Sequence, residues 1–224
     1  MTKTKDQKPK TNAVNGVSGL ILAAGRSERM GAFKPLLPFG PKTIIETCID
    51  NLRYGGVDTI VVVISQGPRA QALKEHLKNA RITFAVNPDP RSEMSESIAC
   101  GVSQLPEETK AVIINPVDHA AVPTSVVEAL LREWEQGAKL VKPTWNERGG
   151  HPVLADLCFR DELLHLDPDG GLKAFFHGHE GQVVRVPVNS NYIARDMDTW
   201  DDYRALHQEV FGVSPPEQIP AKTR

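Results

Sequence analysis

Leu20-Ile21-Leu22-Ala23-Ala24-Gly25-Arg26-Ser27-Glu28-Arg29-Met30-Gly31-Ala32-Phe33-Lys34-Pro35-Leu36-Leu37 decides how this chain folds. Residues 20–24 form a short apolar run, the pattern of a buried strand. The run ends at Gly25, and a cationic loop follows with Arg26, Arg29 and Lys34. Small residues let a backbone come close to a ligand, and exposed N–H groups then grip phosphate oxygens. Three cations in one loop balance the charge of a polyphosphate. Solvated surface charge is the plain alternative for any one of them. Strand, turn and cations together predict a nucleotide site at the edge of a parallel sheet.

The surrounding chain suits such a sheet. Its 224 residues are enough for one large domain with a well-buried core. A formal net charge of -2 gives no global basic field to attract nucleic acid. Cys48, Cys100 and Cys158 are far apart and match no zinc spacing. So sparse and odd a set suggests reduced thiols in a cytoplasmic protein. Residues 1–16 are polar and Lys-rich, lack the apolar core of a signal peptide, and read as a disordered tail. Residues 212–224 carry three prolines and read as a second loose tail. No apolar run approaches the roughly 20 residues needed to cross a bilayer.

Between the tails, residues 17–211 read as one domain in which strand and helix patterns alternate. Strands are expected at 20–23, 59–64, 81–86 and 111–115, and helices at 43–54, 69–78, 94–104 and 125–136. Pro123-Thr124 marks a helix start and Gly137 a helix stop. Such alternation predicts parallel strands joined by right-handed crossovers: an α/β, doubly wound, mostly parallel sheet in three layers. The half after residue 140 is less regular. Strands fit 139–142, 152–155 and 183–188 there, and helices fit 161–166, 171–178 and 199–211. Ligands of such sheets bind outside the carboxyl ends of the strands, so the loops 24–33, 65–68, 87–93 and 116–122 matter most.

The opening segment has neither Gly-x-x-x-x-Gly-Lys-Ser/Thr nor Gly-x-Gly-x-x-Gly. From Leu22 to Gly31 it resembles, without a gap, the Leu-Ala-Ala-Gly-x-Ser-x-Arg-Met-Gly motif of the MobA-like nucleotidyltransferases, and within them the molybdenum cofactor cytidylyltransferases of the MocA group. The resemblance implies a Rossmann-like nucleotidyltransferase fold. It also implies a nucleotide site built from Leu22, Ala23, Ala24, Gly25, Arg26, Ser27, Arg29, Met30, Gly31 and Lys34, with Lys34 and Arg29 as catalytic cations.

Four further segments extend the resemblance to about residue 206. Asp118 follows the strand at 111–115 directly, where a carboxylate either holds Mg²⁺ or caps the next turn. MocA-like enzymes have Asp-Gln-Pro or Asp-Met-Pro here. The resemblance therefore makes Asp118 a metal ligand and catalytic residue, although Asp118-His119-Ala120 lacks the proline. Asp196-Met197-Asp198-Thr199-Trp200-Asp201-Asp202-Tyr203 resembles Asp-Ile-Asp-Thr-Pro-Glu-Asp-Tyr, which makes Asp198 the second metal ligand and Asp196 a weaker candidate. Met94-Ser95-Glu96-Ser97-Ile98 resembles a segment that contacts base and ribose, so Ser95 and Ser97 join the nucleotide site. Either serine is also a candidate helix cap. Arg148-Gly149-Gly150-His151-Pro152-Val153-Leu154 resembles an acceptor-side element. It assigns Gly150, His151 and Pro152 to the acceptor, with His119 beside them. A plain turn into a strand is the competing reading, and for His119 a surface position without a task.

The activity so implied is nucleotidyl transfer. A nucleoside triphosphate, with CTP favoured by the Ala23-Ala24 pair, donates its nucleotidyl group to a small phosphate-bearing acceptor such as the molybdopterin cofactor. Mg²⁺, or Mn²⁺ in its place, assists, and pyrophosphate leaves. A molybdenum hydroxylase or its accessory protein is the expected recipient of the product. A sugar- or polyol-phosphate acceptor and a non-catalytic cofactor carrier are the alternatives. A monomer or a small homo-oligomer fits the chain.

Overall fold

The computed structural model describes residues 13–25, 27, 29–89 and 93–216. In chain order the elements are β1 (Val17–Leu22), a 3₁₀ turn (Lys34–Leu36), β2 (Pro38–Phe39), β3 (Lys42–Thr43), α1 (Ile44–Tyr54), β4 (Thr59–Ser65), α2 (Pro68–His76), β5 (Thr83–Asn87), α3 (Met94–Ser103) and β6 (Ala111–Pro116). Then come α4 (Thr124–Glu135), β7 (Leu140–Trp145), β8 (Arg148–Gly149), β9 (Val153–Asp156), α5 (Arg160–Leu164), α6 (Gly171–Gly178), β10 (Val183–Pro187) and α7 (Trp200–Phe211). The expected strands and helices are present, with ends displaced by at most three residues.

The main sheet runs β10-β7-β9-β6-β1-β4-β5, with β8 paired to β7. β6, β1, β4 and β5 are mutually parallel, and so are β7 and β10. β9 departs from the parallel pattern, because it runs antiparallel to both β6 and β7. The cause is local. Trp145 pairs with Arg148, which leaves a two-residue turn. Asn146 and Glu147 in that turn both have positive φ, at 47° and 66°. That is the conformation of the tight hairpin turn whose twist matches its strands. The turn reverses the chain at the carboxyl end of β7, so β9 starts from the same rim at which β1 and β6 end.

β1 is buried at all six positions because the sheet is covered on both sides. Ile21 faces one core, shared with Ile44, Leu73, Leu130 and Leu206 of α1, α2, α4 and α7. Leu20 and Leu22 face the other, shared with Ile98, Leu163 and Phe176 of α3, α5 and α6. These two cores make three layers. Gly101 on α3 lies where a Cβ would run into Leu20 and Val63, so its lack of a side chain sets how closely α3 approaches the sheet.

At the amino end the packed chain includes Val14, whose N–H donates to the Gly56 carbonyl at 2.9 Å and whose side chain packs on the first core. At the other end Gly212 closes α7 in the left-handed conformation, with φ +73°. Cys48, Cys100 and Cys158 are all free thiols. Among the described residues no helix is long and apolar enough to cross a membrane.

Candidate active site

The strand order reverses between β1 and β6, and a cleft opens there beyond their carboxyl ends, where doubly wound sheets bind ligands. The cleft has a volume of about 580 Å³. Leu22, Ala24, Gly25, Ser27, Arg29 and Lys34 line one wall, Glu93, Met94 and Ser97 a second, and Pro116, Val117, Asp118 and Asp198 the floor.

The first wall is a turn built on Ser27. Its φ of +51° is unusual for a residue with a side chain, and its carbonyl accepts from the N–H groups of Met30 and Gly31 at 3.2 and 3.1 Å. Met30 itself is a core residue, only 5% exposed. Its carbonyl accepts a 2.8 Å hydrogen bond from the Trp200 indole, which ties the loop to the start of α7. Ala23 is likewise core, and its N–H donates to the Val63 carbonyl at 2.9 Å. Among the nucleotide-site expectations, Ala23, Met30, Gly31 and Ser95 therefore do not line the cleft, whereas Leu22, Ala24, Gly25, Ser27, Arg29, Lys34 and Ser97 do. Arg26 lies outside the described residues.

Lys34 starts the 3₁₀ turn, with Pro35 in its first turn, and is buried to 7% exposure. Its ammonium lies 3.6 Å from Asp118 Oδ2 and 3.3 Å from Asp198 Oδ1. Arg29 donates to the other oxygen of Asp198 at 2.7 Å. Asp198 is free to do this because Thr199, not Asp198, caps α7. The Thr199 hydroxyl accepts from the Asp202 N–H, and the Asp202 carboxylate accepts back from the Thr199 N–H. Met197 is fully buried between Asp196 and Asp198 and anchors both carboxylates beside Asp118.

Neither Ser95 nor Ser97 caps α3; Glu93 holds the cap position without a side-chain bond. Ser95 donates to Glu96 at 3.1 Å, and Ser97 accepts from Asn87 at 3.2 Å. Both serines lie past the helix start, where their hydroxyls cannot reach the free N–H groups of the first turn.

On the far side of Asp118 stand the acceptor-side residues. His119 is 4% exposed, so it is no surface histidine. Its Nε2 lies 3.1 Å from Asp196 Oδ1 and 3.8 Å from Asp118 Oδ1. The hydrogen bond from His119 is the main reason that the Asp196 carboxyl sits below the usual carboxylate range. The His151 ring stacks obliquely on His119 at a centroid distance of 5.0 Å. Burial, then the neighbouring His119 and Lys142, push the His151 pKa down to about 3, so its imidazole is neutral. Gly150 is small for an internal reason: a Cβ there would strike the Ile193 carbonyl, which accepts the His151 N–H at 2.8 Å. Pro152 is buried just ahead of β9.

Three features of the site escape a reading of the chain alone. Trp200 tethers the loop rather than merely filling a helical turn. Glu93 puts a carboxylate in the wall of a cleft lined with cations. Asp196 faces His119 rather than Lys34. The spacing gives no hint of the last, because an extended backbone puts residues two apart on one face, so Asp196 and Asp198 would be expected to look the same way.

A family model described as "MobA-like NTP transferase domain" matches residues 19–183. Among relatives, nicotine blue oxidoreductase of Paenarthrobacter nicotinovorans is 26% identical over 200 residues, covering 85% of this chain and 96% of that protein. The molybdenum cofactor cytidylyltransferase of Escherichia coli (strain K12) is 26% identical over 193 residues, covering 85% and 95%. Among solved structures, Rv0371c of Mycobacterium tuberculosis H37Rv superposes with a TM-score of 0.77 at 23% identity, covering 88% of this chain and 99% of that one. The fold is thus that of the nucleotidyltransferases. On the family match, which spans most of its length, the chain belongs to the MobA-like NTP transferases.

Proposed function

We propose that the protein is a metal-dependent nucleotidyltransferase that passes a nucleotidyl group, CMP from CTP, to a small phosphate-bearing acceptor. The molybdopterin cofactor is the acceptor we favour, in a cytoplasmic enzyme whose product goes to a molybdenum hydroxylase or its accessory protein. One observation carries the reading. A buried lysine joins two aspartates, brought from the ends of different elements, at the floor of a cleft with a cationic wall.

In this reading the triphosphate lies along Gly25, Ser27 and Arg29, with Ser97 toward its base and ribose. The acceptor enters from the His119–His151 side. An acceptor phosphate oxygen attacks the α-phosphorus in line. The bond from that phosphorus to the oxygen bridging to the β-phosphate breaks, and pyrophosphate leaves with the electron pair. No covalent enzyme intermediate is needed, because positioning and charge neutralisation supply the catalysis. Lys34 and Arg29 follow the negative charge as it moves toward the leaving group. Neutral His151 offers a hydrogen bond to the acceptor without adding charge.

Two carboxylates facing an open cleft suit a hard divalent ion, which keeps water and phosphate oxygens as its other ligands. Asp118 and Asp198 would hold Mg²⁺ or Mn²⁺, and the ion would neutralise phosphate charge. The test is pyrophosphate release across the four nucleoside triphosphates, with molybdopterin and with sugar- and polyol-phosphates as acceptors. Release with CTP and molybdopterin is expected. Nucleotide binding without release for every acceptor would replace this reading with a non-catalytic carrier. A redox assay belongs in the same screen, because one relative bears an oxidoreductase name.

A further inference from the structure

Asp118 presents its two carboxylate oxygens to different surroundings. Oδ2 looks toward Lys34 at 3.6 Å. Oδ1 looks toward His119, yet at 3.8 Å it is beyond hydrogen-bond reach, and among the described residues it is buried without a hydrogen-bond partner. A buried, unpaired anionic oxygen is costly unless a cation or a donor meets it. His119 is held by burial with Nε2 aimed at this oxygen and at Asp196 Oδ1. One donor atom from each of Asp118, His119 and Asp196 lies within 4.8 Å of the other two. Ligands about 2.0–2.2 Å from one ion stand roughly 3–4 Å apart, so a small inward movement would close this set. Asp198 does not belong to this group, since its carboxylate lies on the Lys34 and Arg29 side of Asp118.

We propose that Asp118 Oδ1, His119 Nε2 and Asp196 Oδ1 form a second cation site, selective for first-row transition ions. It is separate from the oxygen-only position between Asp118 Oδ2 and Asp198. The donor chemistry sets the selectivity. An imidazole nitrogen disfavours Mg²⁺, which takes oxygen ligands in a strict octahedron. The same nitrogen, with two carboxylates, favours ions higher in the stability order, so Co²⁺ and Zn²⁺ bind ahead of Mn²⁺, and Mn²⁺ ahead of Mg²⁺. Three protein ligands leave coordination positions open toward the cleft. The site lies where the phosphate cleft meets the hairpin that carries His151, so those positions face the acceptor end. Asp118 would bridge the two sites, one oxygen to each. The inference shares Asp118 with the nucleotidyl-transfer reading but needs no turnover.

The test is titration of the full chain with Co²⁺ in the absence of nucleotide, followed by its visible absorption bands. One Co²⁺ should bind per chain, be displaced by equimolar Zn²⁺, and yield to Mg²⁺ only in large excess. Asp196→Ala, at an exposed position, should weaken Co²⁺ binding by more than about tenfold, as loss of even an indirect metal partner does. Asp198→Asn should leave that affinity unchanged. With Mn²⁺ bound, the electron-spin-echo signal should show a coupled histidine nitrogen that disappears in His119→Gln. That variant is checked for folding by circular dichroism, and the Asp196 result stands without it. Affinity lost in Asp198→Asn and kept in Asp196→Ala would overturn the proposal, as would the absence of nitrogen coupling. Selective Co²⁺ binding without pyrophosphate release from any triphosphate would instead sink the catalytic reading and leave this site standing.

Discussion

Lys34 Nζ lies 3.3 Å from Asp198 Oδ1, although the two residues are 164 positions apart in the chain. The contact closes the cleft between its first loop and its last helix. Replacing Lys34 with Met keeps the bulk of the side chain and removes the charge. The rate of pyrophosphate release should fall by about 100-fold or more, the scale of losing one preorganised electrostatic donor. Weaker nucleotide binding with an unchanged rate, read from separate kcat and KM values, would mean that Lys34 holds the ground state only.

Asp118→Ala should abolish turnover and leave the fold intact. Asp118 lies two residues beyond the end of β6, and its carboxylate is not part of either core. The check is a pyrophosphate assay beside far-ultraviolet circular dichroism. A variant that turns over normally would remove Asp118 from the mechanism.

Trp200 holds the phosphate loop through a single bond to the Met30 carbonyl. Trp200→Phe keeps an aromatic ring and deletes the donor. The expected loss of stability is about 1 kcal/mol. With the loop less firmly anchored, KM for the nucleotide should rise while kcat changes little, a split that steady-state kinetics measures.

Much of this architecture can be read in the chain. Hydrophobic runs near β1, β4 and β6 announce their strands because a sheet covered on both faces needs apolar residues at every position. Pro123 and Gly137 bracket α4 for equally local reasons. What stays hidden depends on contacts distant in sequence. Between Asp118 and Ala120, His119 looks like part of a polar loop, yet it is buried, with His151 and Asp196, both distant in sequence, against it. Asn146-Glu147 lacks the glycine that marks a tight hairpin, so the reversal leading to β9 leaves little trace. Gly150 resembles a ligand-approach glycine, yet the atom it accommodates is the carbonyl of Ile193. Which cleft residues contact a nucleotide depends on which way each side chain turns. That is why Ala23 and Met30 carry the motif and still point into the core.

Gly101→Ala places a methyl group against Leu20 and Val63, both in the middle of the sheet. Overpacking of this kind costs about 1–3 kcal/mol. A lowered denaturation midpoint with an unchanged m-value would show it. An unchanged midpoint would mean that α3 can shift without cost.

Burial works to raise the Asp156 carboxyl. Hydrogen bonds from the Cys158 N–H at 2.9 Å and the Trp134 indole at 3.0 Å outweigh it and hold the carboxyl below the ordinary value of 3.8. A lowered carboxylate stabilises the fold above its unfolded pKa, and that contribution is lost as pH falls through the folded value. Asp156→Ala should therefore be less stable than the parent at pH 7, by about 1 kcal/mol or less once solvent screening is allowed for. The gap between the two should narrow below pH 3.8, as thermal melts across the acid range would report.

β9 runs against both of its neighbours, and β8, which leads into it, hydrogen-bonds to β7. The short hairpin arm therefore hangs from the outer half of the sheet while its tip overlooks the same rim as the glycine loop. Lengthening or exchanging that arm would reshape one bank of the cleft without touching β1 or the triphosphate bank opposite. A lineage built on this plan can change what it modifies while keeping the reagent it modifies with.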